Sequence, residues 1–198
     1  MLNVKYSMLK LPKLILASGS PRRAEILTAV GWEFEKHTAD IDETALVSEK
    51  PEDYVQRLAK NKAETVAEKY SDELVLGADT IVVVGDKIIG KPNDFAEAES
   101  MLQALSGRWH EVLTGVALVK VLDDRYKVEV DLQRTRVKFA KINDSESKFL
   151  IEKGEPLDKA GAYAVQAQAA LFIEQIEGDY WNVVGLPINL VYKMLNTF

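Results

Sequence analysis

The sequence predicts an α/β protein, because apolar runs with the length of β-strands recur between segments that have the apolar spacing of helices. Three stretches carry this prediction: an apolar run that passes through a turn into a helix, a long apolar run that returns as a hairpin, and a pair of long strands. These stretches are Leu14–Leu27, Glu73–Ile89 and 109–140. No apolar run approaches the roughly 20 residues that a membrane-spanning helix needs, so we expect no membrane partner.

The composition is that of a single globular domain, which we assign to residues 1–198 with residues 1–12 as an extension. The net charge is −6 and the charges are mixed along the chain, so nucleic acid is not an expected partner.

The absence of cysteine excludes disulfides and cysteine-ligated metals, and two histidines are too few for a histidine-rich zinc site. Pro12 and Lys13 interrupt the apolar centre of a would-be signal peptide, so we expect a cytoplasmic protein.

The first stretch is predicted to form a buried strand at Leu14–Ala17, a tight turn and a helix over 21–30. Proline suits the first helical position, Ser20 has the hydroxyl of an N-cap residue, and Gly31 can end the helix. The apolar face of this helix is expected to comprise Ile26, Leu27 and Val30.

Two arginines, Arg22 and Arg23, stand in the first turn of this helix. Cations at a helix N-terminus are unfavourable by roughly 0.3–1 kcal/mol each, because the helix dipole is positive there. Two of them beside free backbone N–H groups indicate a site for an anion.

An acidic loop and a second helix follow a short strand over 34–37. The loop, residues 39–44, contains Glu43, and it is either a solvated surface loop or the source of a carboxylate for a site. The helix is predicted over 51–70, and Lys62 falls on its apolar stripe. That lysine either extends its ammonium group to solvent or directs it into a cleft that holds a phosphate.

The hairpin contains a carboxylate, Asp79, inside an apolar run. A buried charge of this kind is costly unless a cation or a donor meets it, so we expect a functional role. Gly77 permits a close backbone approach beside it. The returning strand ends at Gly90-Lys91-Pro92, which brings Lys91 to the same part of the sheet.

The remaining elements are a helix over 95–105, strands over 109–122 and 126–140, and helices over 144–153 and 188–197. Asp123-Asp124 is expected to join the two strands, and Gly154 to close the fourth helix. Between the last two helices, many small residues surround Gln166. Its amide is either a core group satisfied by the backbone or a group that recognises the edge of a base.

Taken together, these residues indicate metal-assisted hydrolysis of a phosphate compound, with nucleotides as one candidate substrate. The four basic residues suit a polyphosphate, and two carboxylates suit a hard divalent cation that also binds phosphate oxygens. The basic residues are Arg22, Arg23, Lys62 and Lys91, and the carboxylates are Glu43 and Asp79. The chain contains neither the P-loop nor the dinucleotide-binding glycine pattern.

Seven motifs, in order and spacing, resemble the Maf family of nucleoside triphosphate pyrophosphatases. They are SGSPRR (Ser18–Arg23), RLAKNKA (Arg57–Ala63), GADT (Gly77–Thr80), GKP (Gly90–Pro92), LSGRWHEVLTGV (Leu105–Val116), DKAGAYAVQ (Asp158–Gln166) and GDYWNVVGLP (Gly178–Pro187). The resemblance implies an elongated α/β fold, with a mixed sheet and two lobes around a central cleft, related to the inosine triphosphate pyrophosphatases. It also implies conversion of a nucleoside triphosphate to the monophosphate and pyrophosphate, a house-cleaning role, and a homodimer.

The resemblance further implies roles for individual residues. Asp79 matches the family's general base, and Glu43 its loop glutamate, and both are expected to bind Mg²⁺ or Mn²⁺. The matching phosphate-binding basic residues are Arg22, Arg23, Lys62 and Lys91. Ser18 and Ser20 match the family's turn serines, which are expected to hold phosphate or a metal-bound water.

The resemblance also implies the base preference of the branch that acts on dTTP and UTP, because Arg22, Thr80 and Gln166 match the pattern of that branch. Where that branch usually has GIQG, this chain has Ala164 and Ala167 in place of the glycines. Two alternatives remain open at this point: a sibling pyrophosphatase that prefers 7-methyl-GTP, and a nucleotide-binding regulator of septum formation and cell division.

Overall fold

The computed structural model describes residues 10–122 and 125–198. Most of the extension expected at residues 1–12, and the turn expected at Asp123-Asp124, therefore lie outside the described residues.

A mixed β-sheet flanked by helices forms the described part of the chain. Its strands are β1 (Leu14–Ala17), β2 (Phe34–Lys36), β3 (Leu74–Val84), β4 (Lys87–Ile89), β5 (Trp109–Leu122), β6 (Arg125–Phe139) and β7 (Ile173–Glu177). The α-helices are α1 (Pro21–Ala29), α2 (Pro51–Ala67), α3 (Phe95–Leu105), α4 (Asp144–Gly154), α5 (Tyr180–Val184) and α6 (Ile188–Thr197). Short 3₁₀ turns occupy Pro156–Asp158, Ala160–Ala162 and Gln168–Phe172.

The strands are arranged in the order β2-β1-β3-β5-β6-β7, with β4 paired to β3. Strand β1 runs parallel to β2 and β3, and the other pairings are antiparallel. The predicted α/β class and the predicted mixed sheet are therefore confirmed.

The central strand β3 has one edge that is only partly covered. Strand β1 pairs with its first part, from Leu74 to Gly77, and β4 pairs with its last part, from Val82 to Val84. Within the residues described, the stretch 78–81 has a strand partner only on the β5 side. The chain of β1 ends beside this opening, so the opening is where a ligand can reach the sheet.

Alternating residues of β3 face two different helical layers. Leu76 and Ala78 belong to the larger core, which includes α1, α3 and α6. Val75 belongs to a second core that packs against Ala59 and Ala63 of α2. The neighbours Asp79 and Thr80 consequently point towards opposite faces of the sheet.

Helix α2 approaches the sheet very closely at two glycines. A Cβ atom on Gly77 would lie 2.1 Å from the carbonyl oxygen of Ala59, and one on Gly115 would lie 2.2 Å from that of Val55. Gly115 is also paired directly with Asp79 across the strands. The expected close approach at Gly77 is confirmed, and the one at Gly115 was not predicted.

Several predicted boundaries differ from the structure by a few residues. Helix α2 ends at Ala67, because Lys69 and Tyr70 donate to carbonyls only three residues back. Helix α4 includes Gly154, and the left-handed residue that follows is Glu155, at φ 48°. Pro156 disfavours the right-handed helical conformation at Glu155, which explains the shift by one residue.

The apolar face expected for the first helix is wrong at one position. Val30 lies beyond the last helical residue and is 44% exposed, whereas Arg23 is buried on the same face as Ile26 and Leu27. Gly31 adopts φ 68° and turns the chain away from the helix, which carries Val30 to the surface.

In the described part of the chain, no helix combines the length and the apolar character that crossing a membrane requires.

Replacing Gly115 with alanine should lower the free energy of unfolding by about 3 kcal/mol, since the new Cβ would push α2 away from the sheet. Guanidinium chloride denaturation would measure the loss. Gly154→Ala is the matched control, because its Cβ would meet no atom within 4 Å. Equal stability of the two variants would contradict the assigned contact between helix and sheet.

Candidate functional site

A cavity of about 520 Å³ lies at the open edge of β3. Its walls come from the turn after β1, the start of α1, the middle of β3, the loop after β4 and the segment between α4 and α5. The structure brings all the predicted site residues together in its lining: Ser18, Ser20, Arg22, Arg23, Glu43, Lys62, Asp79, Thr80, Lys91 and Gln166.

Asp79 and Glu43 converge on the ammonium group of Lys62. The Nζ atom lies 2.7 Å from Asp79 Oδ1 and 2.7 Å from Glu43 Oε1. The Asp79 and Lys62 side chains are each 11% exposed, whereas the Glu43 side chain is 55% exposed. The lysine on the apolar stripe of α2 therefore points into the cleft and not outwards along the helix surface.

Burial raises the pKa of Asp79 above the usual range of a carboxyl group, although the charges of Lys62 and Arg23 oppose this effect. A carboxylate with a raised pKa is a stronger base than one exposed to water. Asp79 thus combines a protected position with enhanced affinity for a proton.

The acidic loop is held in place by α2 and is not simply solvated. The Tyr54 hydroxyl donates a hydrogen bond of 2.9 Å to the backbone oxygen of Glu43. Arg57 donates to both carboxylate oxygens of Glu49, at 2.6 and 2.7 Å, and to the carbonyl oxygen of Thr44. These contacts fix the loop at Glu43 and in the residues that follow it. Tyr54, which also lines the cavity, was not predicted.

Arg23 is buried and uses three of its donors within the protein. Its Nε donates to the carbonyl oxygen of Gly185 at 2.8 Å, Nη1 to Ser18 Oγ at 2.9 Å, and Nη2 to Thr80 Oγ1 at 3.0 Å. Burial lowers the pKa of Arg23, and the Asp79 charge opposes that effect. Because a guanidinium group stays protonated, the cavity has a positive charge with a fixed position.

Asn182 holds the segment that supplies the Gly185 carbonyl group. Its buried Nδ2 donates to the carbonyl oxygen of Val112 at 2.9 Å and to Thr135 Oγ1 at 3.0 Å. These bonds dock the short helix α5 on strands β5 and β6. The docking fixes the position of Gly185 and thereby of the Arg23 guanidinium group.

Arg22 makes two contacts with Asp158, across the cavity from α1. Its Nη1 lies 3.0 Å from Asp158 Oδ2, and its Nη2 donates to the Asp158 carbonyl oxygen at 3.0 Å. Lys159 Nζ donates to Asp158 Oδ1 at 2.6 Å. Asp158 and Lys159 belong to the motif DKAGAYAVQ, but they were not predicted as site residues, because nothing in their local sequence distinguishes them from surface charges.

The remaining predicted residues occupy more open positions. Gln166 and Lys91 are exposed in the cavity lining, so the alternative of a core glutamine is wrong. Ser20 stands at the N-cap position of α1, but its side chain makes no capping bond. Instead its backbone N–H donates to Ser18 Oγ at 3.2 Å, which tightens the turn.

His110 and Tyr163 form a buried pair behind the cavity. His110 Nε2 lies 2.7 Å from the Tyr163 hydroxyl group, and the two rings pack edge to face with Phe139. Burial lowers the pKa of His110 to about 4. The pair anchors Tyr163, which lines the cavity, to strand β5.

Glu43 and Asp79 are the candidate ligands for a divalent cation. Their oxygens already converge on one cation, the Lys62 ammonium group. The described residues contain no cluster of three or more histidine, aspartate or glutamate side chains that could hold a metal. A pair of carboxylates fits Mg²⁺, which commonly takes its other ligands from phosphate oxygens and water.

The fold and the cavity define an α/β protein of the phosphohydrolase type, with two carboxylates set among several basic side chains. The chain belongs to the Maf family, because the model of that family, described as Maf-like protein, matches residues 13–198. The resemblance seen in the motifs is thus confirmed.

Curated relatives named dTTP/UTP pyrophosphatase are similar to this chain over nearly their whole length. The protein of Symbiobacterium thermophilum is 49% identical over 186 residues, 94% of each chain. That of Hahella chejuensis is 49% identical over 94% of this chain and 92% of its own. That of Bacillus cereus is 44% identical over 100% of this chain and 96% of its own.

Among solved structures, the Staphylococcus aureus Ham1 protein has a similar fold. The TM-score is 0.51 at 16% identity, covering 93% of this chain and 98% of that one. At this identity the likeness concerns the fold alone, and it agrees with the α/β architecture described above.

Replacing His110 with glutamine should flatten the pH dependence of stability. The folded pKa of about 4 is below the value of about 6.5 in the unfolded chain, so the contribution is complete above pH 6.5 and is lost as the pH falls towards 4. Over that interval we expect the wild type to lose about 3 kcal/mol more than the variant. Denaturant unfolding at several pH values measures this, and parallel curves would contradict the buried neutral histidine.

Proposed function

We propose that this protein hydrolyses UTP and dTTP to the nucleoside monophosphate and pyrophosphate. The names of the relatives, at 44–49% identity, support this choice of substrates. The structural observation that carries the proposal is the buried Asp79 carboxylate, which shares one ammonium group with Glu43 in a cavity lined by further cations.

In this proposal the basic side chains hold the triphosphate. Arg23 supplies a fixed charge and retains N–H groups beyond its three bonds within the protein. Lys62 and Lys91 supply ammonium groups from two different elements of the cavity wall, α2 and the loop after β4. Ser18 and Ser20 lie in the turn that precedes α1, beside the positive end of that helix.

Asp79 acts as the general base. Lys62 is bonded to Oδ1, so Oδ2 can accept a proton from a water molecule. The water oxygen then forms a bond to the α-phosphorus, and the bond from this phosphorus to the oxygen that bridges to the β-phosphorus breaks. The electron pair leaves with pyrophosphate, and the surrounding cations stabilise the negative charge that develops.

We further propose that Glu43 and Asp79 hold Mg²⁺ or Mn²⁺. When bound, such an ion polarises phosphoryl oxygens and lowers the pKa of water. The residues of this chain keep their own tasks: Lys62 separates the two carboxylates and limits their repulsion, and the bonds from Tyr54 and Arg57 hold the loop that carries Glu43.

Arg22, Thr80 and Gln166 remain our candidates for residues that set base preference. Arg22 and Gln166 lie in the lining of the cavity with N–H donors that are free to bind a base, whereas the Thr80 hydroxyl is bonded to Arg23 and Thr114.

The cytoplasm, which contains the nucleotide pool, is the expected location. The expected homodimer also stays a prediction, which sedimentation velocity would test.

One assay separates the proposal from its alternatives. The purified protein is incubated with Mg²⁺ and each common nucleoside triphosphate, and also with 7-methyl-GTP, and pyrophosphate release is measured. We expect release from UTP and dTTP. Release from 7-methyl-GTP alone would indicate the sibling activity, and binding without release would indicate a nucleotide-binding regulator.

Asp79→Asn should reduce kcat at least about 1000-fold, because the amide cannot accept the proton from water. The variant should remain folded, since replacing a buried carboxylate with an amide removes a desolvation cost and leaves Lys62 paired with Glu43. Asp72→Asn is the matched control, since it removes an exposed carboxylate paired with Lys120. Turnover at the control's rate would exclude Asp79 as the base.

Removal of divalent cations with EDTA should abolish pyrophosphate release, and Mg²⁺ or Mn²⁺ should restore it. Glu43→Gln should raise the metal concentration for half-maximal rate about 10-fold or more, because one charged ligand is lost. Glu35→Gln, which removes an exposed carboxylate outside the cavity lining, serves as the control. Undiminished activity in EDTA would rule out the metal.

A further inference from the structure

Three side chains form a polar row in the cavity that the hydrolysis mechanism does not use. The Asp158 carboxylate is at the centre, with Lys159 Nζ on Oδ1 at 2.6 Å and Arg22 Nη1 on Oδ2 at 3.0 Å. All three residues line the cavity. The carboxylate therefore has a donor group on each side of it.

Each member of this row keeps capacity for a further hydrogen bond. A carboxylate offers about four acceptor positions, and Asp158 uses two of them for these side chains. Lys159 has three N–H donors and uses two, the second on the Glu155 carbonyl oxygen at 2.5 Å. Arg22 has five donors and uses two. The pattern presented to a ligand is thus donor, acceptor, donor.

The row is fixed before any ligand arrives. The Lys159 side chain is only 9% exposed, and the second Arg22 bond, to the Asp158 carbonyl oxygen, ties α1 to the same segment. Gly161 N–H donates to the Gly90 carbonyl oxygen at 3.0 Å, which ties that segment to the loop carrying Lys91. A recognition element on such a support loses little conformational entropy when it binds.

We propose that Lys159, Asp158 and Arg22 recognise the imide edge that uracil and thymine share. This edge presents acceptor, donor, acceptor, in the atoms O2, N3–H and O4, and is the complement of the row. Asp158 accepts the N3–H hydrogen, and the two cations donate to the flanking oxygens. The inference rests on the proposed function, because it concerns the base of the same substrates.

The proposal explains both what the site accepts and what it rejects. The C5 methyl group that separates thymine from uracil lies outside the imide edge, so both bases fit. Cytosine has an unprotonated N3, whose lone pair would face the Asp158 carboxylate. Guanine presents two adjacent donors beside a single acceptor, so one of its donors would face a donor of the row. A carboxylate that faces a lone pair in place of a donor loses that hydrogen bond and is repelled, which disfavours binding of cytosine.

The ionisation state of Asp158 supports this assignment. Partial burial tends to raise the pKa of Asp158, but hydrogen bonds from Lys159 and Arg22 outweigh that effect and lower the pKa. The group is therefore a charged acceptor at neutral pH. A hydrogen bond to a charged group contributes about 1.5–3 kcal/mol, which corresponds to a factor of about 10–100 in kcat/KM.

The first test uses the wild-type protein and needs no variant. We expect kcat/KM for N3-methyl-UTP and for CTP to be at least about 10-fold, and up to about 100-fold, below that for UTP. The methyl group replaces the N3 hydrogen and leaves the triphosphate unchanged. Equal rates for UTP and N3-methyl-UTP would overturn the proposal.

The second test is Asp158→Asn, with Glu177→Gln as the control. Asparagine can donate to the unprotonated N3 of cytosine, so we expect the ratio of kcat/KM for CTP to that for UTP to rise about 10-fold or more. Glu177 is likewise an exposed carboxylate paired with an arginine, Arg136, but it lies outside the cavity lining, so its variant should keep the wild-type ratio. An unchanged ratio in Asp158→Asn would contradict the assignment.

These results separate the two proposals. No pyrophosphate release from any nucleotide would contradict the hydrolase proposal alone. The comparison of UTP with N3-methyl-UTP would then be made by calorimetric binding, where weaker binding of the methylated nucleotide supports recognition of the edge and equal binding overturns it.

Discussion

The close approach of helix α2 to the sheet is the constraint on which the candidate site depends. At Gly77 and Gly115 the helix backbone lies where side chains would otherwise be, so no intervening layer separates α2 from β3 and β5. Lys62 follows the contacting residue Ala59 by about one helical turn and thus reaches Asp79 directly. Because Gly115 is the strand partner of Asp79, the space beside the carboxylate is also free of a competing side chain.

The chemical character of the site could be predicted from the sequence, but its internal contacts could not. The cost of a carboxylate inside an apolar run indicates a function for Asp79. The lysine on the apolar stripe of α2 leaves two interpretations in the sequence, and the structure confirms the one in which Lys62 points into the cleft. Gly115 gave no such signal, because its importance depends on strand register and on the path of a distant helix. Asp158 lies in an ordinary polar setting in the sequence, and its partner Arg22 is 136 residues away.

The same distinction applies to the fold. Strand β1 and helix α3 lie where the apolar spacing and the turn residues of the sequence predict them, because both elements bury a regular set of apolar side chains. Strand β7 and helix α5 were missed. The first is a half-exposed edge strand without clear alternation, and the second has only five residues and is stabilised by Asn182 contacts with other strands. Local pattern cannot reveal an element whose stability comes from distant partners.

The gap in the pairing of β3 has a consequence for the solubility of the protein. Unpaired strand edges invite pairing with other chains and so favour aggregation, and proteins usually protect them. Here the stretch of backbone without a strand partner on this side within the described chain, 78–81, is bounded by β1 at one end and by β4 at the other. Four residues between two strands leave too little room for a foreign strand, while a small molecule can still enter. The short strand β4 thus protects this edge of β3 from pairing with another chain.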